Sequence, residues 1–242
     1  MTPKLPSSKT YSPFSPKFEA FRIGFDSIDL DPQRGIYGGF WMKKKDYHLE
    51  IKRFVTLNNK NQYLLISDNE AAVIDVFEAH REVGKILDIR DLDLKYLLIT
   101  HGHKLHVQAL PWFKENYGGV FCLHEFEYEL LPESESSLVA DRELKDGSKL
   151  PLGDVALEVL LTAGHTKGSV CYYIRGVNAL FSGSTLLRKG YGKIWGPNSM
   201  SLMLFSLKRL GSTIPAETDI YTGSGELTKM ENEGWIHCLR SA

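Results

Sequence analysis

The sequence lacks any apolar run approaching the roughly 18 consecutive residues that cross a bilayer, so no membrane-spanning helix is expected. It also lacks charge of one sign. Its 29 basic and 30 acidic residues leave a formal −1 at pH 7, which removes the electrostatic argument for nucleic acid or an anionic membrane as partner. Cysteine is scarce: Cys122, Cys171 and Cys238 lie far apart, form no CxxC pair, and leave one thiol over under any pairing. That pattern predicts reduced, mostly buried thiols in a cytoplasmic compartment. The opening "MTPKLPSSKTYSPFSPK" lacks the apolar stretch of a secretory signal. Its four prolines also break the amphipathic helix that a transit peptide needs.

What is present is ordinary for a globular chain, with 43% hydrophobic and 24% charged residues over 242 positions. Residues 1–47 read as an irregular extension, and residues 48–242 as the folded domain. "LEIKRFVTL", "QYLLIS" and "AAVIDVF" are strand-like runs separated by the turn sequences "NNKN" and "DNEA". "AHREVGKILDI" predicts a helix, and "LKYLLIT" a strand buried on both faces. A helix is expected around 107–117, with Pro111 in its first turn. "GGVFCLH" reads as a strand, "EFEYELL" as a short helix and "PESESS" as a loop. The second half is again strand-rich, with "VALEVLLTA", "SVCYYIR" and "NALFSG". Met200, Met203, Leu204, Leu207 and Leu210 then space an amphipathic helix, before a strand at "DIYTG" and a terminal helix. Two halves that each run from strands to a helix predict an α/β fold: a four-layer αββα sandwich, two sheets face to face with helices outside.

Two stretches carry candidate chemistry. "ITHGHKLH" follows the apolar run directly and places His101 and His103 at i and i+2, where alternate residues of an extended loop point the same way. His106 lies three positions further on. Such spacing points to a metal ion about as readily as to hydrogen-bonded structural histidines. "TAGHTKGS" holds His165 between Gly164 and Gly168, which permit a sharp path after a strand.

Taken together, "THGHKLH", "GHTKGS", "LFSGS" and "TGSG" resemble, in order and wording, the metallo-β-lactamase fold superfamily, in particular its glyoxalase II-like branch. The resemblance runs over residues 49–233. It implies a first metal site made by His101, His103 and His165. A second site would need the Asp–His of "DH", a bridging carboxylate and a final histidine. Here Leu105 stands at the aspartate, Ser184 at the carboxylate and Ser224 at the last histidine, and only His106 remains. One imidazole without a carboxylate does not hold a second ion.

The resemblance also places Lys193, in "GYGKIWGP", where a lysine of that branch contacts the glutathione moiety. Asp75 falls at the position that braces the metal loop. His124 falls where a histidine opens a helix, and His48, His80 and His237 lie outside the motifs.

Two readings follow. The one favoured from the sequence is a family member that lacks most second-metal ligands, with a binding or regulatory role and no metal or a relic site. The other is a mononuclear zinc hydrolase of an ester or thioester, like hydroxyacylglutathione hydrolase. In it three neutral imidazoles and a water surround one ion, and His106 serves as the base, since an imidazole titrates near 6.5. Either way the expected partner is a small molecule. Oligomeric state is not readable from the sequence.

Overall fold

The computed structural model describes residues 18–22, 47–132 and 138–239. The expected loop over 133–137, and the leader apart from 18–22 and Tyr47, lie outside the described residues.

The first sheet has seven strands in the order β1-β2-β3-β4-β5-β6-β7. These are β1 (Phe18–Arg22), β2 (Glu50–Val55), β3 (Asn61–Ser67), β4 (Glu70–Ile74), β5 (Asp93–Leu98), β6 (Val120–His124) and β7 (Arg142–Leu144). β1 to β4 form an antiparallel meander, turning at Asn59 and Asp68 with φ of 56° and 53°. Asn and Asp are the non-glycine residues that tolerate this left-handed region best. From β4 on the strands run parallel. The crossovers are helix α1 (His80–Arg90), then α2 (Lys104–Val107) with α3 (Leu110–Asn116).

The second sheet has six strands in the order β13-β12-β11-β10-β9-β8: β8 (Lys149–Leu152), β9 (Val155–Leu161), β10 (Val170–Ile174), β11 (Ala179–Gly183), β12 (Asp219–Thr222) and β13 (Thr228–Lys229). Helix α4 (Pro197–Thr213) crosses between the parallel β11 and β12.

Strand alternation sorts the core into layers. Leu65, Ile74 and Leu98 face Leu157, Val159 and Tyr172 between the sheets. Their neighbours Leu64, Val73 and Leu97 pack outward on Val83, Leu87 and Phe113 of α1 and α3. On the far side Cys171, Tyr173 and Leu180 pack against Met203, Leu207 and Leu210 of α4. This is the expected αββα layering.

Local expectations need four corrections. The helix around 107–117 is two helices, with His106 inside the first and Pro111 in the first turn of the second. Met200, counted in the apolar stripe, is exposed. The terminal helix is a 3-10 segment over Met230–Cys238. Strands β7, β8 and β13 have no counterpart in the expected elements, and neither has β1, which lies in the leader expected to be irregular. Among the described residues no helix is long and apolar enough to cross a membrane.

Candidate metal centre

His101 and His103 leave the C-terminal end of β5 on an extended loop, and His103 caps α2 with φ −61° and ψ 140°. Asp75, just past the end of β4, braces this loop. Its Oδ1 accepts the Thr100 backbone N–H at 2.9 Å, and its carboxylate accepts the Thr100 hydroxyl at 2.9 and 3.1 Å. That hydroxyl has one proton, given to Asp75, so toward His101 Nδ1, 3.0 Å away, it accepts. His101 therefore carries its proton on Nδ1 and a lone pair on Nε2. A carboxylate–hydroxyl–imidazole chain of this kind orients a ligand histidine.

His165 is fixed by the same logic. Its Nδ1 lies 2.7 Å from the Lys193 carbonyl, which only accepts, so Nδ1 is the donor and Nε2 holds the lone pair. The backbone beneath it is locked on α4. Gly164 has φ 147°, and a Cβ there would lie 2.5 Å from the Met203 Cα, while Ser206 Oγ donates to the Ala163 carbonyl at 2.7 Å.

Nε2 of His165 faces Nδ1 of His103 at 3.2 Å. One ring nitrogen from each of His101, His103 and His165 lies within 4.8 Å of the others, and the three can hold a metal ion. Tetrahedral zinc with Zn–N of about 2.0–2.1 Å places its ligand atoms about 3.3 Å apart. The His103–His165 pair already has that spacing, and an approach of at most about 1.5 Å closes the rest. The donor set fits zinc.

The electrostatics agree. Burial pushes all three imidazoles below their ordinary 6.5: His101 well below, His103 below, and His165 to about 4 against the opposing pull of the Lys193 carbonyl. His106 and the Lys60 ammonium add repulsion to each. The rings are thus neutral at pH 7, as metal ligation requires.

His106 is buried beside the triad. Its ring centroid is 3.8 Å from that of His101 and 4.7 Å from that of Phe77. Its Nδ1 lies 2.9 Å from Asp75 Oδ2, a close contact without the alignment of a hydrogen bond. Leu105 is 37% exposed. Ser184 and Ser224 follow β11 and β12, whose ends are joined by the Gly223 N–H donating to the Gly183 carbonyl at 2.8 Å. Lys193 sends its ammonium over the Trp195 ring, 3.8 Å from the centroid. His124 opens the 3-10 segment over Glu125–Leu130 by accepting the Phe126 N–H.

Two residues had not been singled out. Glu127 is fully buried and ties the two histidine loops together. Its Oε2 accepts the Gly102 N–H at 2.7 Å and its Oε1 the Gly168 N–H at 2.6 Å. Burial raises its carboxyl pKa, and these amides pull the other way. Lys60, whose backbone bridges to Ser224, supplies the positive charge noted above. Neither has a sequence signal: one is an acid among many in "EFEYELLPESE", the other a turn lysine.

Comparison with known proteins converges on one family. A family model described as the metallo-beta-lactamase superfamily matches residues 55–224, a span that contains the whole triad. The hydroxyacylglutathione hydrolase of Pelagibacter ubique is 32% identical over 187 residues, covering 76% of this chain and 74% of its own. The solved structure of BLEG-1 B3 metallo-beta-lactamase matches with a TM-score of 0.67 and 26% identity, over 76% of this chain and 96% of its own. TTHA1623, solved in a di-iron-bound form, matches with a TM-score of 0.61 and 27% identity, over 72% of this chain and 92% of its own.

Proposed function

Because the chain belongs to the metallo-beta-lactamase superfamily, we propose that it is a mononuclear metallohydrolase, with one zinc ion on His101, His103 and His165, acting on an ester or thioester. The observation that carries this reading is the facing pair of His103 Nδ1 and His165 Nε2 at 3.2 Å, with the His165 ring held from behind by the Lys193 carbonyl. The relative named hydroxyacylglutathione hydrolase supports a thioester. For one ion rather than two, the support is the donor set: among the described residues the triad is the one group of this kind, and His106 is outside it. Leu105, Ser184 and Ser224 supply no carboxylate or imidazole for a second.

A bound zinc ion supplies Lewis-acid polarisation of a carbonyl and lowers the pKa of a coordinated water. The chain's own residues do the rest. His101, His103 and His165 stay neutral to hold the ion. His106, with Nδ1 turned to Asp75, has Nε2 on its opposite edge as the atom that takes a proton. Leu105 has no atom that could. The Lys193 ammonium attracts an anionic part of the substrate. Residues 48–242 are the unit we assign to this activity, in a cytoplasmic setting, with residues 1–47 as an extension that adds β1 to the sheet.

Elemental analysis of protein purified without chelator tests the reading. One zinc per chain, lost in His103→Ala, together with turnover of acyl thioesters that is lost in the same variant, is the expected result. Metal content unaffected by His103→Ala would sink the site. One zinc with no turnover of any ester or thioester would leave the binding role, which the absence of a carboxylate at Leu105 favours.

A further inference from the structure

A cleft of about 410 Å³ opens directly from the triad: His103 and His165 form part of its wall. Its other walls are open to solvent and mixed, with Phe126, Leu130 and Trp195 as the large apolar side chains among Glu129, Thr166, Lys167 and Ser199. Phe126 and Leu130 stand on one side and Trp195 on the other, with 51%, 38% and 60% exposure. Large apolar side chains gathered around one concavity are not ordinary surface; they mark a place where an apolar group is received. Each has a neighbour among the histidine loops or beside them. The His124 ring accepts the Phe126 N–H at 3.3 Å. Leu130 backs the His101–His103 loop, since a Cβ on Gly102 would lie 3.2 Å from the Leu130 Cβ. Trp195 meets the His103 ring edge-on at 5.9 Å, and the Lys193 ammonium covers its face at 3.8 Å.

We infer that this cleft selects substrates with an apolar acyl group, aromatic or medium-chain aliphatic, seated between Phe126, Leu130 and Trp195 with its carbonyl at the histidines. The inference rests on the hydrolase reading above and narrows its substrate class. A small hydroxylated acyl group would leave these walls in contact with water. A longer one gains roughly three- to fourfold in binding for each methylene removed from water. Of the charged groups here, Lys167 and Glu129 form a loose pair at 3.7 Å with 76% and 80% of their side chains exposed, and the Lys193 ammonium takes one face of Trp195.

Two measurements on the intact, zinc-loaded protein decide it. The first compares kcat/KM for the acetyl, hexanoyl and benzoyl thioesters of N-acetylcysteamine. The hexanoyl and benzoyl esters should exceed the acetyl ester by at least tenfold. Trp195→Ala should bring the three within about threefold while zinc content stays unchanged, and Trp195→Phe should restore most of the preference. The second needs no turnover: the Kd of acetate, hexanoate and benzoate by calorimetry. Hexanoate and benzoate should bind at least tenfold tighter than acetate, and Trp195→Ala should remove that difference. Turnover without an acyl preference, or a preference that survives in a Trp195→Ala, Phe126→Ala double variant, overturns the inference and leaves the hydrolase reading standing. If no thioester turns over, the hydrolase reading fails, and the carboxylate series alone decides what the cleft takes.

Discussion

Glu127 commits each of its two carboxylate oxygens to a different loop, one carrying His103 and the other His165. A charged acceptor makes stronger, shorter hydrogen bonds than a neutral one, and here the bonds set the distance between two ligand loops. Glu127→Gln keeps one acceptor and turns an NH₂ against a backbone N–H, leaving a buried donor unpaired at a cost of about 1–3 kcal/mol. Loss of a partner that orients ligands typically weakens metal binding 10–100-fold. The expected outcome for Glu127→Gln is a zinc Kd at least tenfold weaker in chelator competition, with a lower melting temperature. A zinc Kd within twofold of the parent would mean that the carboxylate holds the fold and not the ligand geometry.

The three lost positions of the second-ion set lie on different elements: Leu105 in α2, Ser184 just past β11, Ser224 just past β12. The elements still converge, since the Gly223 N–H donates to the Gly183 carbonyl and Lys60 bridges to Ser224. The scaffold is therefore in place, and what is missing is chemistry at three side chains. Leu105→Asp, Ser184→Asp and Ser224→His, combined, should raise metal content from one ion per chain to two, read by elemental analysis after equilibration with zinc. Content that stays at one would mean that the Lys60 charge or the loop paths exclude a second ion. Much of this was legible in the sequence. Runs such as "LKYLLIT" and "SVCYYIR" are long enough to declare strands, and "HGH" and "GHTKGS" fix the order of the loops. Strands β7, β8 and β13 were not, because they have three, four and two residues. Segments that short carry no period to read. The Asp75–Thr100–His101 chain was only half legible, since the motif gives the aspartate but not the hydroxyl that relays it. Glu127 was invisible because its role depends on two glycine amides far from it in sequence.

Across the whole molecule the burial of so many imidazoles couples the fold to pH. His101, His103 and His165 have folded pKa values below 6.5, with burial the first cause in each, and for His165 the value is about 4. In the unfolded chain these rings titrate near 6.5. As pH falls below that, the unfolded state takes up protons that the folded state does not. The unfolded state then binds more protons, and stability falls as pH falls. For His165 the loss begins near 6.5 and continues to about 4. By about pH 8 the three rings are neutral in both states and contribute almost no slope. The expected outcome for chelator-treated protein is a melting temperature that drops steadily between pH 7 and pH 5. A His101→Asn, His103→Asn, His165→Asn triple variant should show a clearly shallower drop over the same range. His124, also lowered by burial, remains in both proteins and cancels from the comparison. Equal slopes in the two proteins would place the proton uptake outside the triad, and with it the claim that these rings stay neutral and ready for a metal.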